Sequence, residues 1–158
     1  MSVAFTKESD SEAVAADLPD RPISVHPNLV TPGGLAAIDA ALTAAKAAYA
    51  TAQAGGAISA DRTAMARATR ELRYWSARRG SAQLVEAPDG DTVVFGATVT
   101  LERADGSCVT WRIVGEDEAD PTAGSVSYVS PLARALLGRL VGDVAMVAGA
   151  EVEIVAVV

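Results

Sequence analysis

The chain has 158 residues, half of them hydrophobic but only seven aromatic, and a formal charge of −7. Two small units with thin cores fit that length and composition, and the negative charge excludes a general nucleic-acid coat protein. A single cysteine, Cys108, excludes a disulfide framework and a thiolate metal site.

The start, MSVAFTKESDSEAV, has acids where a signal peptide needs an apolar run. No stretch of about 18 apolar residues is free of polar interruption, so no membrane span and a cytoplasmic location are expected. Residues 1–30 read as an extended or disordered tail, broken by Pro19, Pro22 and Pro27. His26, the only histidine, has no partner in the sequence and reads as a linker residue.

Thr31-Pro32 follows as an N-cap and first helical position. Leu35, Ile38, Leu42, Ala45, Tyr49 and Ala52 then recur at heptad spacing, an Ala-rich seam that lets a partner helix approach closely. Gly33 and Gly34 weaken its first turn by about 1 kcal/mol each relative to Ala. Gly55-Gly56 breaks this helix, Ser59 caps a second one, and Met65, Ala68, Leu72 and Trp75 continue the seam. So short a break predicts an antiparallel helical hairpin over residues 31–85, with arms of roughly 30–36 Å.

Charge divides along the chain. Residues 61–80 carry six arginines against Asp61 and Glu71, net +4, whereas residues 86–120 carry nine acids against Arg103 and Arg112, net −7. Arg62, Arg67 and Arg70 form the candidate basic face, with the whole arginine row expected outside the seam.

After Gly80 and Pro88-Asp89-Gly90 the pattern turns to β. Strands are expected at Val93–Glu102 and Ser107–Val114, joined through Ala104-Asp105-Gly106. An acidic loop at Gly115–Gly124 leads to a short strand at Ser125–Val129. Ser130-Pro131 caps a helix ending at Gly138, and strands at Val144–Val147 and Glu151–Val158 close the chain. Cys108, in an alternating segment, is expected to pack inside. The predicted class is α+β: a coiled-coil hairpin, then a curled antiparallel sheet with one short helix over residues 86–158.

The run Phe95-Gly96-Ala97-Thr98-Val99, the stretch RIVGEDEAD from Arg112 to Asp120, SPLARALLGR from Ser130 to Arg139, and Val141-Gly142-Asp143 resemble the C-terminal domain of the GreA/GreB transcript-cleavage factors. They occur in the family's order over residues 93–147. The resemblance implies an FKBP-like fold here and docking at the rim of the secondary channel of bacterial RNA polymerase. It also places the hairpin, entered through Val30-Thr31-Pro32-Gly33-Gly34-Leu35, where the family has its coiled coil.

Two features depart from the family. Its hairpin tip carries a close pair of acids that help polymerase hold a second catalytic Mg²⁺, whereas the tip here, AGGAISADRT, has Asp61 alone. One carboxylate holds Mg²⁺ weakly, and Asp61 sits where an acid favours a helix start. The arms also read a couple of turns shorter than the family's.

The expected function is therefore a non-enzymatic polymerase-binding elongation regulator, inserting a short hairpin without stimulating cleavage. It needs no cofactor or metal, and contact with DNA or nascent RNA is incidental. Asp117, Glu118, Asp120, Pro121 and Ser127 are the candidate polymerase contacts, since an acidic loop suits a basic helical partner. The alternatives are cleavage stimulation through Asp61, an FKBP-like prolyl isomerase, for which aromatic residues are sparse, and a nucleotide-kinase-linked regulator.

Overall fold

The computed structural model describes residues 18–55, 59–87 and 89–158, with side chains throughout except at 59–61. The expectations for residues 1–17, for the tip at 56–58 and for the Asp61 carboxylate lie outside the described parts. The chain divides into two compact units, Met1–Val25 with Ile38–Ser81 and His26–Ala37 with Ala82–Val158.

The first unit is built on helix α1 (Pro32–Ala54) and helix α2 (Ser59–Ser81), each of 23 residues. Ile38, Ala45 and Ala68 are buried at their seam, as the heptad spacing requires. An ion pair joins Asp39, early in α1, to Arg79, late in α2, as antiparallel arms require. At about 1.5 Å per residue each arm is roughly 35 Å long.

Two expectations for α2 need correction. Arg78 is buried rather than part of an outer row, with 2% of its surface exposed. It lies three residues past Trp75 and so continues the seam, where a long aliphatic stem can pack while the guanidinium keeps polar company. Trp75 is only half-buried: its Nε1 donates to Glu71 Oε2 at 3.3 Å, and its ring meets Tyr74 edge-on at 4.9 Å.

In the second unit, β1 (Leu29–Val30) pairs in parallel with β2 (Gln83–Leu84). The main sheet contains β3 (Thr98–Arg103), β4 (Cys108–Val114), β5 (Ser125–Ser127), β6 (Val144–Val147) and β7 (Ala150–Val157), in the order β5-β4-β3-β7-β6. All its pairs are antiparallel except β4–β5, which is parallel. The acidic loop makes that crossover, and hydrophobic alternation cannot register the sense of a strand pair.

Helix α3 (Pro131–Leu136) covers the sheet. Ser130 Oγ accepts from Ala133 N at 3.2 Å to cap it, and Gly138 leaves it at φ +83°. Val93, Val99, Leu101, Ile113, Leu136 and Ile154 form the dry centre, each at 1% exposure or less. Burying such a side chain contributes roughly 1.5–3 kcal/mol.

The first main strand starts later than its hydrophobicity suggested. Gly96 adopts φ +87°, Ala97 N turns back to Val94 O, and Val93 bonds instead with Gly138 and Arg139 after α3. Cys108 is exposed, contrary to expectation, and lies opposite Glu102. Among the described residues no helix is long and apolar enough to cross a membrane.

Candidate protein-docking surface

The acidic loop between β4 and β5 is held at both ends by backbone. Gly115 sits so close to β1 that a Cβ there would lie 2.3 Å from the Leu29 carbonyl oxygen, so only glycine lets the strand pass. At the far end Tyr128 N donates to Val114 O at 2.9 Å, and Tyr128 Oη donates to Pro27 O at 2.5 Å. The Tyr128 ring also meets Phe95 edge-on at 5.7 Å.

Glu118 has a different position from the one expected of an outward contact. Its Oε2 accepts from Thr31 Oγ1 at 2.6 Å and its Oε1 from Arg112 Nη1 at 3.4 Å, leaving the side chain 19% exposed. Thr31 is also the α1 cap, its Oγ1 accepting from Gly34 N at 3.0 Å. A carboxylate beside the first turn of a long helix is favoured by the unpaired amides and the dipole there.

The Gly33-Gly34 pair now has a reason. A Cβ at Gly34 would lie 2.6 Å from Glu118 Oε2, and one at Gly33 would lie 3.6 Å from Oε1. The sequence showed two helix-weakening glycines and an acid 84 residues beyond the second, with no local signal linking them.

Asp120, by contrast, is exposed and locally organised. Its Oδ1 accepts from Thr122 Oγ1 at 2.6 Å and from Thr122 N at 3.1 Å, capping a 3₁₀ turn at Pro121–Ala123. The Thr122 hydroxyl is the main cause of the lowered pKa of this carboxyl, and backbone amides of Thr122 and Ala123 add to it. Ser125 Oγ accepts from Asp120 N at 2.9 Å, closing the turn.

Pro121 is exposed beside Asp120, Asp117 is half-buried, and Ser127 is half-buried on β5 with its Oγ accepting from Val129 N at 3.3 Å. Asp120 and Pro121 thus present a fixed acid next to an apolar ring. Glu118 faces inward, and Ser127 spends one lone pair on the turn that follows its strand.

On α2, Arg67 is exposed and Arg62 is exposed with polar company, whereas Arg70 is half-buried, its Nε lacking a hydrogen-bond partner among the described residues. Among the described residues no group of three His, Cys, Asp or Glu side chains could hold a metal ion. A groove of about 530 Å³ lies beside Leu101, Trp111, Leu132 and Val152, with Trp111 its only aromatic.

The family model for the GreA/GreB transcription elongation factor C-terminal domain matches residues 87–158. The GreA of Desulfovibrio desulfuricans is 45% identical over 86 residues, covering 52% of each chain. The GreA of an Anaeromyxobacter species is 50% identical over 80 residues, covering 49% of this chain and 46% of that one. The chain therefore spans about half the length of these curated relatives. Among solved structures, the GreA homolog Gfh1 of Thermus thermophilus superposes with a TM-score of 0.39 at 22% identity, over 84% of this chain and 99% of that one. Residues 87–158, which hold the acidic loop and α3, are thus similar to the C-terminal domain of the GreA/GreB transcription elongation factors.

Proposed function

We propose that the chain is a transcription elongation regulator that binds bacterial RNA polymerase, docks through the Asp120–Pro121 corner, and places its hairpin in the secondary channel. It performs no chemistry of its own and stimulates no RNA cleavage. The observation that carries this reading is the prebuilt 3₁₀ turn, which presents an ionised Asp120 and an exposed Pro121 at one place. A rigid acid beside an apolar ring suits a basic helical partner, because little ordering entropy remains to be lost on binding. The match of residues 87–158 to the GreA/GreB C-terminal domain supports polymerase as that partner.

The absence of cleavage stimulation is supported by the sequence of the tip. Asp61 is its only acid, and Mg²⁺ needs several ligands near octahedral geometry. DNA or nascent RNA is an incidental contact.

The test is binding to core RNA polymerase at low salt, followed by a cleavage assay on a backtracked complex. Asp120→Lys is expected to weaken binding at least about tenfold, as loss of a charge pair with added repulsion would. Failure of the wild-type chain to bind would sink the reading. Fast cleavage lost in Asp61→Ala would replace it with that of a cleavage factor.

A further inference from the structure

The N-terminal segment is fastened to α2 by specific contacts. Arg21 Nη1 donates to Glu71 Oε2 at 2.8 Å, while its guanidinium carbon lies 3.7 Å from the centre of the Tyr74 ring and 5.5 Å from that of Trp75. Asp20 pairs with Arg73 at 3.2 Å. Exposed ion pairs alone contribute little, but a guanidinium that stacks on a ring and bonds a carboxylate is well placed to fix one point of the chain.

Beyond that point lies a basic stripe. Arg67, Arg70 and Arg73 recur every third residue and share one side of α2. Among the described residues, Arg73 holds Asp20, whereas Arg67 and Arg70 have no ion pair and the buried Arg70 Nε has no hydrogen-bond partner. The sequence preceding Leu18 has the complementary charge: Glu8, Asp10, Glu12 and Asp17 against Lys7.

Reach is not limiting. From Arg73 back to Arg67 is about 9 Å along the helix. A chain of 17 residues can span up to roughly 55 Å.

We propose that the acidic segment at residues 8–17 is the built-in occupant of the Arg67–Arg70 stripe, masking it from phosphate polyanions. The Asp20–Arg73 and Arg21–Glu71 contacts raise its effective concentration there, so that four modest charges compete with a nucleic acid that would have to bind from solution. The proposal is independent of the docking corner on the other unit and of whether polymerase is the partner.

The experiment uses the full chain with a nitroxide at Ser11→Cys in a Cys108→Ser background. At low salt, the amides of residues 66–71 are expected to broaden. Broadening should disappear at high salt and with Arg67→Ser and Arg70→Ser together. No broadening of that stretch at low salt would overturn the proposal.

The functional arm compares binding of a short single-stranded DNA by wild type and by the chain carrying Glu8→Gln, Asp10→Asn, Glu12→Gln and Asp17→Asn. The neutralised chain should bind about tenfold tighter near 50 mM salt, and the gain should vanish when Arg67 and Arg70 are also replaced by serine. Equal affinity of wild type and the neutralised chain would refute masking, even if the label showed proximity.

Discussion

Gly34→Ala is the most informative single change in this fold, because two effects of opposite sign meet there. In an exposed helix, Gly→Ala stabilises by about 0.5–1 kcal/mol through lost backbone freedom in the unfolded chain. Here the added methyl would lie 2.6 Å from Glu118 Oε2 and 3.3 Å from its Cδ. The obstructing atom is the end of a flexible side chain, so the carboxylate swings away rather than forcing the backbone apart. The cost is its hydrogen bond from Thr31 Oγ1, which is charge-assisted at 2.6 Å and so carries roughly 1.5–3 kcal/mol. Net destabilisation of about 0.5–2.5 kcal/mol is expected, reversing the usual sign. In a Glu118→Ala background the obstacle is absent, and Gly34→Ala should stabilise by about 0.5–1 kcal/mol. A double-mutant cycle by urea unfolding, followed by helical circular dichroism, reads a coupling of about 1.5–3 kcal/mol. Additive effects within roughly 0.5 kcal/mol would refute the argument that the glycine exists to admit Glu118.

Gly115→Ala should destabilise by at least about 2 kcal/mol, measured by thermal melting, because its methyl would meet the rigid Leu29 carbonyl rather than a mobile side chain. Arg21→Ala, in a Trp111→Phe background, should red-shift and quench Trp75 emission; unchanged emission would place Arg21 away from the rings. The folded pKa of Asp120 is lowered, so its turn contributes stability above the usual carboxyl range and loses it as pH falls through the folded value. The stability gap between wild type and Asp120→Ala should therefore narrow on acidification, and a gap that widened would contradict the Thr122 hydrogen bond as its cause.

What the sequence revealed was what depends on near neighbours. Thr31-Pro32, Ser130-Pro131 and Gly138 signalled helix ends because caps act within four residues. The turn at Asp105-Gly106 was legible for the same reason: Ser107 N returns to Asp105 Oδ1 at 2.9 Å. The buried Arg78 was hidden because its charge points to a solvated face, while only helical phase after Trp75 points inward. The late start of β3 was hidden too. Val93 and Phe95 are as buried as strand residues, yet Gly96 turns the chain between them and the strand proper. At the candidate site, the acids were visible as a group, but their division of labour was not. Thr31 and Glu118 lie 87 residues apart, and no periodicity connects them.

That division decides how docking can be tested. Reversing Asp117, Glu118 and Asp120 together would lose binding whether the loop meets a partner or not, because Glu118→Lys sets a cation against the amides that begin α1. It would also place that cation beside Arg112, from which Glu118 now accepts a bond. Loss of affinity would then report a damaged helix start rather than a missing contact. Asp120 is the cleaner probe, since its carboxylate caps only the 3₁₀ turn and the residue is exposed. Asp120→Asn retains an acceptor for Thr122 while removing the charge. It should leave the melting temperature nearly unchanged and weaken a charge-driven interface mainly through a slower association rate and a flatter salt dependence. If association kinetics with polymerase stayed those of the wild type at low salt, the acidic corner would not be facing a basic surface. Docking would then have to rest on Pro121 and the apolar surroundings of the loop.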